Sequence, residues 1–406
     1  MGLILCSCIW FFGQGMTMLS DPFLQNPTPD SVTVVWFTEF KGTAHLLELG
    51  QPVETSLSAT SRKLDRLRED EFSYTLQTYN QLTPRPVWRH EVKVSGLKAD
   101  QFLPYRVVSQ DGEQRQRSDW FTLQGSPPVG QPLNILLTSD HQLMPMVAAN
   151  IQQAATVYKK FDGVFHAGDL VNVPDRASEW FDDRRGRSFF PVLQGKGSVQ
   201  LGDRIYQGAP ILQNTPLFPC VGNHEVMGRN SEVEPLHIQY KNAQPRGIAE
   251  ENYLSQQIEA VPNSPLPDQG LNTDFANQWI GDRSFNFQTY QDIFSLPPTS
   301  APQKQYYAVT FGDIRLISLM VTNVWRSPEE NPKIPGRYQE SEGQLTQPET
   351  WGHGQFIFEP ITPDSDQYQW LENELESPEF QQAKYKIVMF HHPPHSLGGN
   401  ITPPYT

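Results

Sequence analysis

Cysteine is scarce in this 406-residue chain: there are three, and two of them, Cys6 and Cys8, share one short N-terminal apolar run. Cys220 is then alone in the body, which excludes a disulfide framework and leaves the fold to its own cores. It precedes a polar cluster and reads as a small buried residue that completes a strand. Positive charge is also in the minority. Lys and Arg number 31 against 45 Asp and Glu, a net charge of -14, and no basic run stands out. Such a surface repels a nucleic-acid backbone on average, so no nucleic-acid partner is expected. The apolar run Leu3 to Phe12 is too short to span a bilayer and has the size of a signal-peptide core. No Lys or Arg precedes it, no clear small-residue cleavage site follows, and Met16 or Met18 could be the start. Localisation follows from that run: extracytoplasmic if it is a signal, cytoplasmic otherwise. No internal repeat is evident, and oligomeric state stays open.

The chain is rich in loop-forming residues, with 35 Pro and 28 Gly, while 11% aromatic content argues against wholesale disorder. Its length suits two or three domains. Within it, four apolar runs each end in metal-donor side chains. Ile135-Leu136-Leu137-Thr138 leads to Ser139-Asp140-His141-Gln142. Ala167-Gly168-Asp169-Leu170 and Val221-Gly222-Asn223-His224-Glu225 each set donors against a glycine turn. Ile387-Val388-Met389-Phe390 leads to His391-His392-Pro393-Pro394. An Asp after a strand is commonly a turn or cap residue, and Gly-Asn is an ordinary turn. Four such clusters in one chain point instead to a metal site at the carboxyl ends of adjacent strands.

At these residues the chain resembles the calcineurin-like metallophosphoesterases, and among them the purple acid phosphatases. Gly222-Asn223-His224-Glu225 is the most specific match, flanked in the family's order by Gly168-Asp169 and Val388-Met389-Phe390-His391. The resemblance implies that Asp169 bridges two metals, that Asp140 binds the first, and that Asn223 and His391 bind the second. His224 would face the phosphate as the catalytic residue. Two divalent or trivalent ions (Fe, Mn or Zn) are implied, with a metal-bound hydroxide as nucleophile in an in-line displacement. His224 would protonate or stabilise the leaving oxygen, and neutral Asn223 would limit the negative charge met by an incoming phosphate. His392 and His395 lie within reach of substrate, though both read first as exposed loop histidines. Arg326 and Arg337 are candidate phosphate binders that read first as solvated surface residues. Trp180-Phe181-Asp182-Asp183 could shape the substrate entrance.

Several positions depart from the family pattern. Gln142 stands where many members have a His, and His141, one step off, points the other way in an extended segment. Asn172 stands where the purple enzymes have a tyrosine, which removes the basis for their colour and for expecting ferric iron. Gln142 and Asn172 are therefore ligand or supporting candidates. The family's last motif, Gly-His-x-His, does not follow His391, and Gly352-His353 reads as a loop. The domain is expected to be truncated, with metal binding and turnover weakened accordingly.

Residues from about Asp21 to Leu123 read as strands: Ser31–Thr38, with a buried tryptophan, then Ala44–Leu49, Trp88–Val94, Tyr105–Ser109 and Trp120–Leu123. This stretch resembles a fibronectin type III-like sandwich, which also precedes the catalytic domain in the larger purple acid phosphatases. Ser126 to Gly130 reads as a linker. Helical stretches at Met146–Lys160 and Asp366–Leu375, and a hairpin at Tyr307–Phe311 and Ile314–Val321, come after it. Val226 to Pro302 reads as a long loop-rich insertion. The expected organisation is 1–19 apolar segment, 20–125 all-β sandwich, 126–132 linker and 133–406 α/β metallophosphoesterase domain of αββα layering. The expected activity is hydrolysis of small phosphate monoesters. The alternatives are a phosphodiesterase or nucleotide phosphatase, and a non-catalytic binding protein with a degenerate metal site.

Overall fold

Strand β2 (Ser31–Thr38) is buried at every position, which an alternating strand on a one-sided sheet cannot be. One face of β2, with Val32, Val34 and Trp36, points into the core of a β-sandwich. The other, with Val35 and Phe37, packs into a second core shared with residues 143–226. Phe37 lies 5.0 Å from Phe181 and Phe23 lies 4.9 Å from Phe190, between ring centroids. The continuous run Val32–Phe37 is thus the signature of a strand sandwiched twice.

The computed structural model describes residues 16–241, 246–260, 273–297, 306–321, 323–325, 355–357 and 361–392. In the sandwich, β1 (Phe23–Gln25), β2, β8 (Trp88–Ser95) and β5 (Thr60–Lys63) form one sheet in the order β1-β2-β8-β5. The other runs β10-β9-β3-β4, from β3 (Ala44–Leu49), β4 (Thr55–Ser58), β9 (Leu103–Asp111) and β10 (Gln114–Arg117), with β11 (Phe121–Leu123) also on β9. Between β5 and β8 the chain leaves the sheet through a loop holding the short ribbon β6 (Arg68–Glu69) and β7 (Thr83–Pro84). Trp36 is fully buried and its Nε1 donates to Ser109 Oγ at 3.0 Å, so the expected buried tryptophan has its polar edge satisfied.

After residue 130 the topology changes. Strands β12 (Ile135–Thr138), β13 (Gly163–His166) and β16 (Leu217–Pro219) make a parallel sheet in that order. Strands β17 (Tyr307–Phe311) and β18 (Ile314–Ser318) form the expected hairpin, and β21 (Tyr385–Met389) joins β18 in parallel. The two sheets face each other through Phe165, Phe218, Phe311, Leu316 and Met389. Period-two alternation then turns Val164 and Leu217 outward towards Ile151 of helix α1 (Pro145–Tyr158). Ile317 turns the opposite way, towards Trp370 of α8 (Asp366–Glu376) and Phe380 of α9 (Pro378–Gln382). The layers are therefore α-β-β-α. Helices α2 (Ala177–Phe181) and α3 (Phe189–Leu193) and a hairpin of β14 (Val199–Leu201) and β15 (Arg204–Tyr206) lie between β13 and β16. A two-stranded pair, β19 (Asn323–Trp325) and β20 (Gln355–Ile357), completes the strands of the described residues.

Two expectations change. Among the described residues after Val226 the chain is largely helical rather than loop-rich, with α4 (Leu236–Lys241), α5 (Arg246–Ala260), α6 (Asp274–Asp282) and α7 (Gln288–Ile293). Thr273 caps α6 by accepting the N–H of Ala276, a start signal that the surrounding Pro, Asn and Gly obscured. Of the four residues expected at an entrance, Trp180 and Phe181 are core residues and Asp182 pairs with Arg85 across to the sandwich, while Asp183 lines a cavity with Tyr74 and Arg185. Among the described residues no helix is long and apolar enough to cross a membrane.

Candidate metal centre

The three parallel strands and β21 all end at one edge, and the chain turns sharply there. Of the six non-glycine residues with positive φ among the described residues, Asp140, Gln142, Leu143 and Asp169 lie in the loops after β12 and β13. L-residues pay for that conformation, and such strain gathers at functional sites. Gly168 has φ +91°, and a Cβ there would lie 2.8 Å from the Gly222 Cα and 2.9 Å from His391 Nδ1. A Cβ on Gly222 would lie 2.5 Å from the Asp169 backbone nitrogen. The two glycines let two loops and His391 pass at backbone contact.

That approach brings Asp140, Asp169 and His391 together, with one possible ligand atom from each within 4.8 Å of the others. Asp169 is buried at the centre. Its Oδ2 accepts from Gln142 Nε2 at 2.9 Å and lies 3.3 Å from His391 Nε2, while its Oδ1 accepts the His224 N–H at 2.9 Å. Asn223 Oδ1 is 3.1 Å from His391 Nε2. Each site histidine is held through Nδ1: His391 on the Ala167 carbonyl and His224 on the Asn172 carbonyl, both at 2.8 Å. A carbonyl at Nδ1 fixes the ring and turns Nε2 towards the cluster, the usual support of a metal-binding histidine. His224 Nε2 is then 3.9 Å from Asp169 Oδ2.

Charge at this point is unbalanced in the direction a cation would correct. Burial disfavours a charge on His391, but the Asp169 carboxylate outweighs it and holds the imidazole up to about 9. Burial likewise opposes the Asp169 charge, and His391 and His224 together pull its pKa below the usual carboxylate range. The positive charge that Asp169 draws onto His391 is the charge a bound cation supplies. Two carboxylates, an imidazole and an amide oxygen suit a hard or borderline ion, and the residues present fit one.

Glu225 is the residue that sequence reasoning quoted in a motif without giving it a task. Fully buried, it accepts the N–H groups of Gly222 and Asp169 on Oε2 at 2.7 and 2.8 Å, and of Leu170 on Oε1 at 2.7 Å. It ties the loop after β16 to the loop after β13. Burial and then the nearby Asp169 push its carboxyl up to about 8. Glu179 does the same one step out, with Oε2 accepting the Asn172 and Val173 N–H groups, and Asn172 Nδ2 donates to the Gln142 carbonyl. Gln142 and Asn172 therefore sit around the cluster as supports, Gln142 directly on Asp169. His141 is buried against His166 and Phe189 with Nε2 on Thr138 Oγ1, away from the cluster. His392 is half-buried with its ring 4.7 Å from that of His391, not an exposed loop residue. Arg326, Arg337, His395 and the Gly352-His353 pair lie outside the described residues. Cys220 is buried, as expected.

The chain belongs to the calcineurin-like phosphoesterase family, whose model matches residues 133–405. Among solved structures it is similar to the purple acid phosphatase PPD1 from yellow lupin (Lupinus luteus) seeds, at 16% identity and a TM-score of 0.51. That match covers 90% of this chain and 50% of the lupin chain, so the chain spans about half the length of that enzyme. The likeness is one of fold, sandwich and α-β-β-α domain together. A second structure, the Br derivative BhCBM56, matches 26% of this chain and 92% of its own at 14% identity, with a TM-score of 0.17 that carries no argument. No curated protein matches the chain.

Proposed function

We propose that the chain is a metal-dependent phosphoesterase acting on small phosphate monoesters at a dinuclear site. The observation that carries this is the meeting of Asp140, Asp169 and His391 at the strand ends, with Asn223 against His391. Asp140 and Asp169 would hold one ion, and Asn223, His391 and a shared Asp169 the other. Paired cations bound there lower the pKa of water and offset the charge gathered on a transferring phosphoryl group. The chain's own residues then divide the remaining work. His224 offers Nε2 from a ring locked by the Asn172 carbonyl, which suits it to hold a proton for the leaving oxygen or to steady the charge that develops there. Gln142 holds Asp169 in one orientation. Half-buried His392, whose pKa burial and then His391 lower to about 3, presents a neutral ring beside the cluster and could accept or donate one hydrogen bond to substrate.

The test is turnover of 4-nitrophenyl phosphate by the purified chain, before and after chelation and on return of Mn2+, Zn2+ or Fe2+. Loss on chelation with recovery on metal return supports the reading. A folded chain with no metal-dependent turnover supports instead a binding protein whose metal site serves structure only.

A further inference from the structure

A cavity of about 270 Å3 is lined by Phe72, Tyr74, Asn172, Arg176, Arg185 and His237, among others. Resting on the phosphoesterase reading, we propose that this cavity is a leaving-group subsite for an uncharged aromatic ring, so that aryl phosphate monoesters are the favoured substrates.

Two elements of its wall lead to His224. Asn172 lines it and holds His224 Nδ1 at 2.8 Å. Helix α4 places His237 on its wall and, one turn on, Tyr240 against the His224 ring at 5.2 Å between centroids. Its outer wall comes from the sandwich, through the loop between β6 and β7. There Phe72 and Tyr74 stand 48% and 47% exposed. They are held in place nonetheless. The Phe72 N–H donates to Asp70 Oδ1, and Asp70 in turn binds Arg176 Nη2 at 3.1 Å. Phe72 meets His237 edge to face at 4.4 Å, and the Arg185 guanidinium lies 3.9 Å over the Tyr74 ring. Rings presented on a rigid loop lose little entropy on binding, which is how a flat ligand is gripped.

Charge selects what kind of ligand. Arg176 is neutralised by Asp70 and Glu179, and Arg185 by Asp183. The wall therefore carries no spare positive charge for a second phosphate or a carboxylate. A cavity of about 150 Å3 already accepts benzene, so this one takes a substituted ring.

The experiment compares phenyl phosphate with ethyl phosphate in the wild type, Phe72→Ala and Tyr74→Ala, alongside calorimetric titration with phenylphosphonate and methylphosphonate. Both replaced rings are half exposed, so the variants fold. Each variant is expected to raise KM for phenyl phosphate, and to weaken phenylphosphonate, by about three- to tenfold, the value of one aromatic contact. Ethyl phosphate and methylphosphonate are expected to change less than about twofold. Equal effects on aryl and alkyl ligands, or none on either, overturn the subsite while leaving the phosphoesterase reading intact. If the wild type hydrolyses neither ester, that reading falls, and the titration alone then decides the cavity: phenylphosphonate binding that Phe72→Ala weakens upholds it, and no binding overturns it.

Discussion

Glu225 Oε2 accepts the backbone N–H of Asp169 at 2.8 Å, and so the proposed bridging carboxylate is positioned by a second carboxyl group one strand away. Asp169 has φ +58°, a conformation it would leave if free. The bond to Glu225 and its two companions to Gly222 and Leu170 keep it there.

Replacing Glu225 with Gln leaves one acceptor oxygen for three buried N–H groups and turns an NH2 towards one of them. The expected cost is about 2 kcal/mol of stability, read by urea denaturation, because a buried donor without a partner pays its full desolvation. A loss under about 0.5 kcal/mol would mean that the loops hold their shape without it.

Gly222→Ala tests the close approach of the two loops. The new methyl collides with the Asp169 backbone, which must shift. Turnover is expected to drop by about 100-fold, as small displacements of a catalytic group do, while circular dichroism keeps its wild-type form. Gly202→Ala, at φ +56° but with open space around its Cβ, should leave turnover alone and cost about 1 kcal/mol of stability.

The sandwich and the α/β domain are expected to unfold together. Arg85 is buried between Glu39, Glu69 and Asp182, and Glu69 has no exposure at all. Arg85→Ala removes the countercharge of that carboxylate and leaves it the Ser178 N–H and hydroxyl, for an expected loss of about 3 kcal/mol. Calorimetry should show one transition in the wild type. Two separate transitions would contradict the joint core that β2 makes.

Acid should weaken the fold through His90. Its two nitrogens face the hydroxyls of Thr38 and Ser61, each at 2.8 Å, and its ring stacks on His45 at 3.5 Å. Burial, then the charges of His45 and Arg89, lower its pKa from 6.5 to about 2. Between those values the unfolded chain takes up a proton that the folded chain refuses. The stability from neutral His90 is thus present above pH 6.5 and lost as the pH falls below it, by about 2 kcal/mol between pH 7 and pH 5. In His90→Gln the urea midpoint should lose that part of its pH dependence. An unchanged slope would assign the acid sensitivity elsewhere.

The architecture was legible where periodicity or motif was strong. Ser31–Thr38 and Tyr307–Phe311 run as strands to the residue, and all four donor clusters follow strands. The helices after Val226 were hidden because Pro, Asn and Gly between them mask short amphipathic stretches, and their caps are single residues. Asp140, Asp169, Asn223 and His391 follow strands of the two facing sheets, and their order as strand-ending donor clusters was the signal in the sequence that they would meet. Glu225 could have been found as an acid that closes the Gly222-Asn223-His224 turn next to apolar Val226 and Met227. The lining of the Asn172 cavity by Phe72 and Tyr74 could not have been, since they come from the sandwich, 100 and 98 residues away from Asn172, respectively, a distance only the fold closes.

Metal content is the most direct test of a dinuclear centre, measured by inductively coupled plasma mass spectrometry after loading with Mn2+ or Zn2+ and gel filtration, for the wild type, Asp169→Asn and His391→Ala. Such a centre predicts close to two ions per wild-type chain, and fewer than one in Asp169→Asn, which loses the shared ligand. Equal metal in wild type and Asp169→Asn, or none in either, would contradict it.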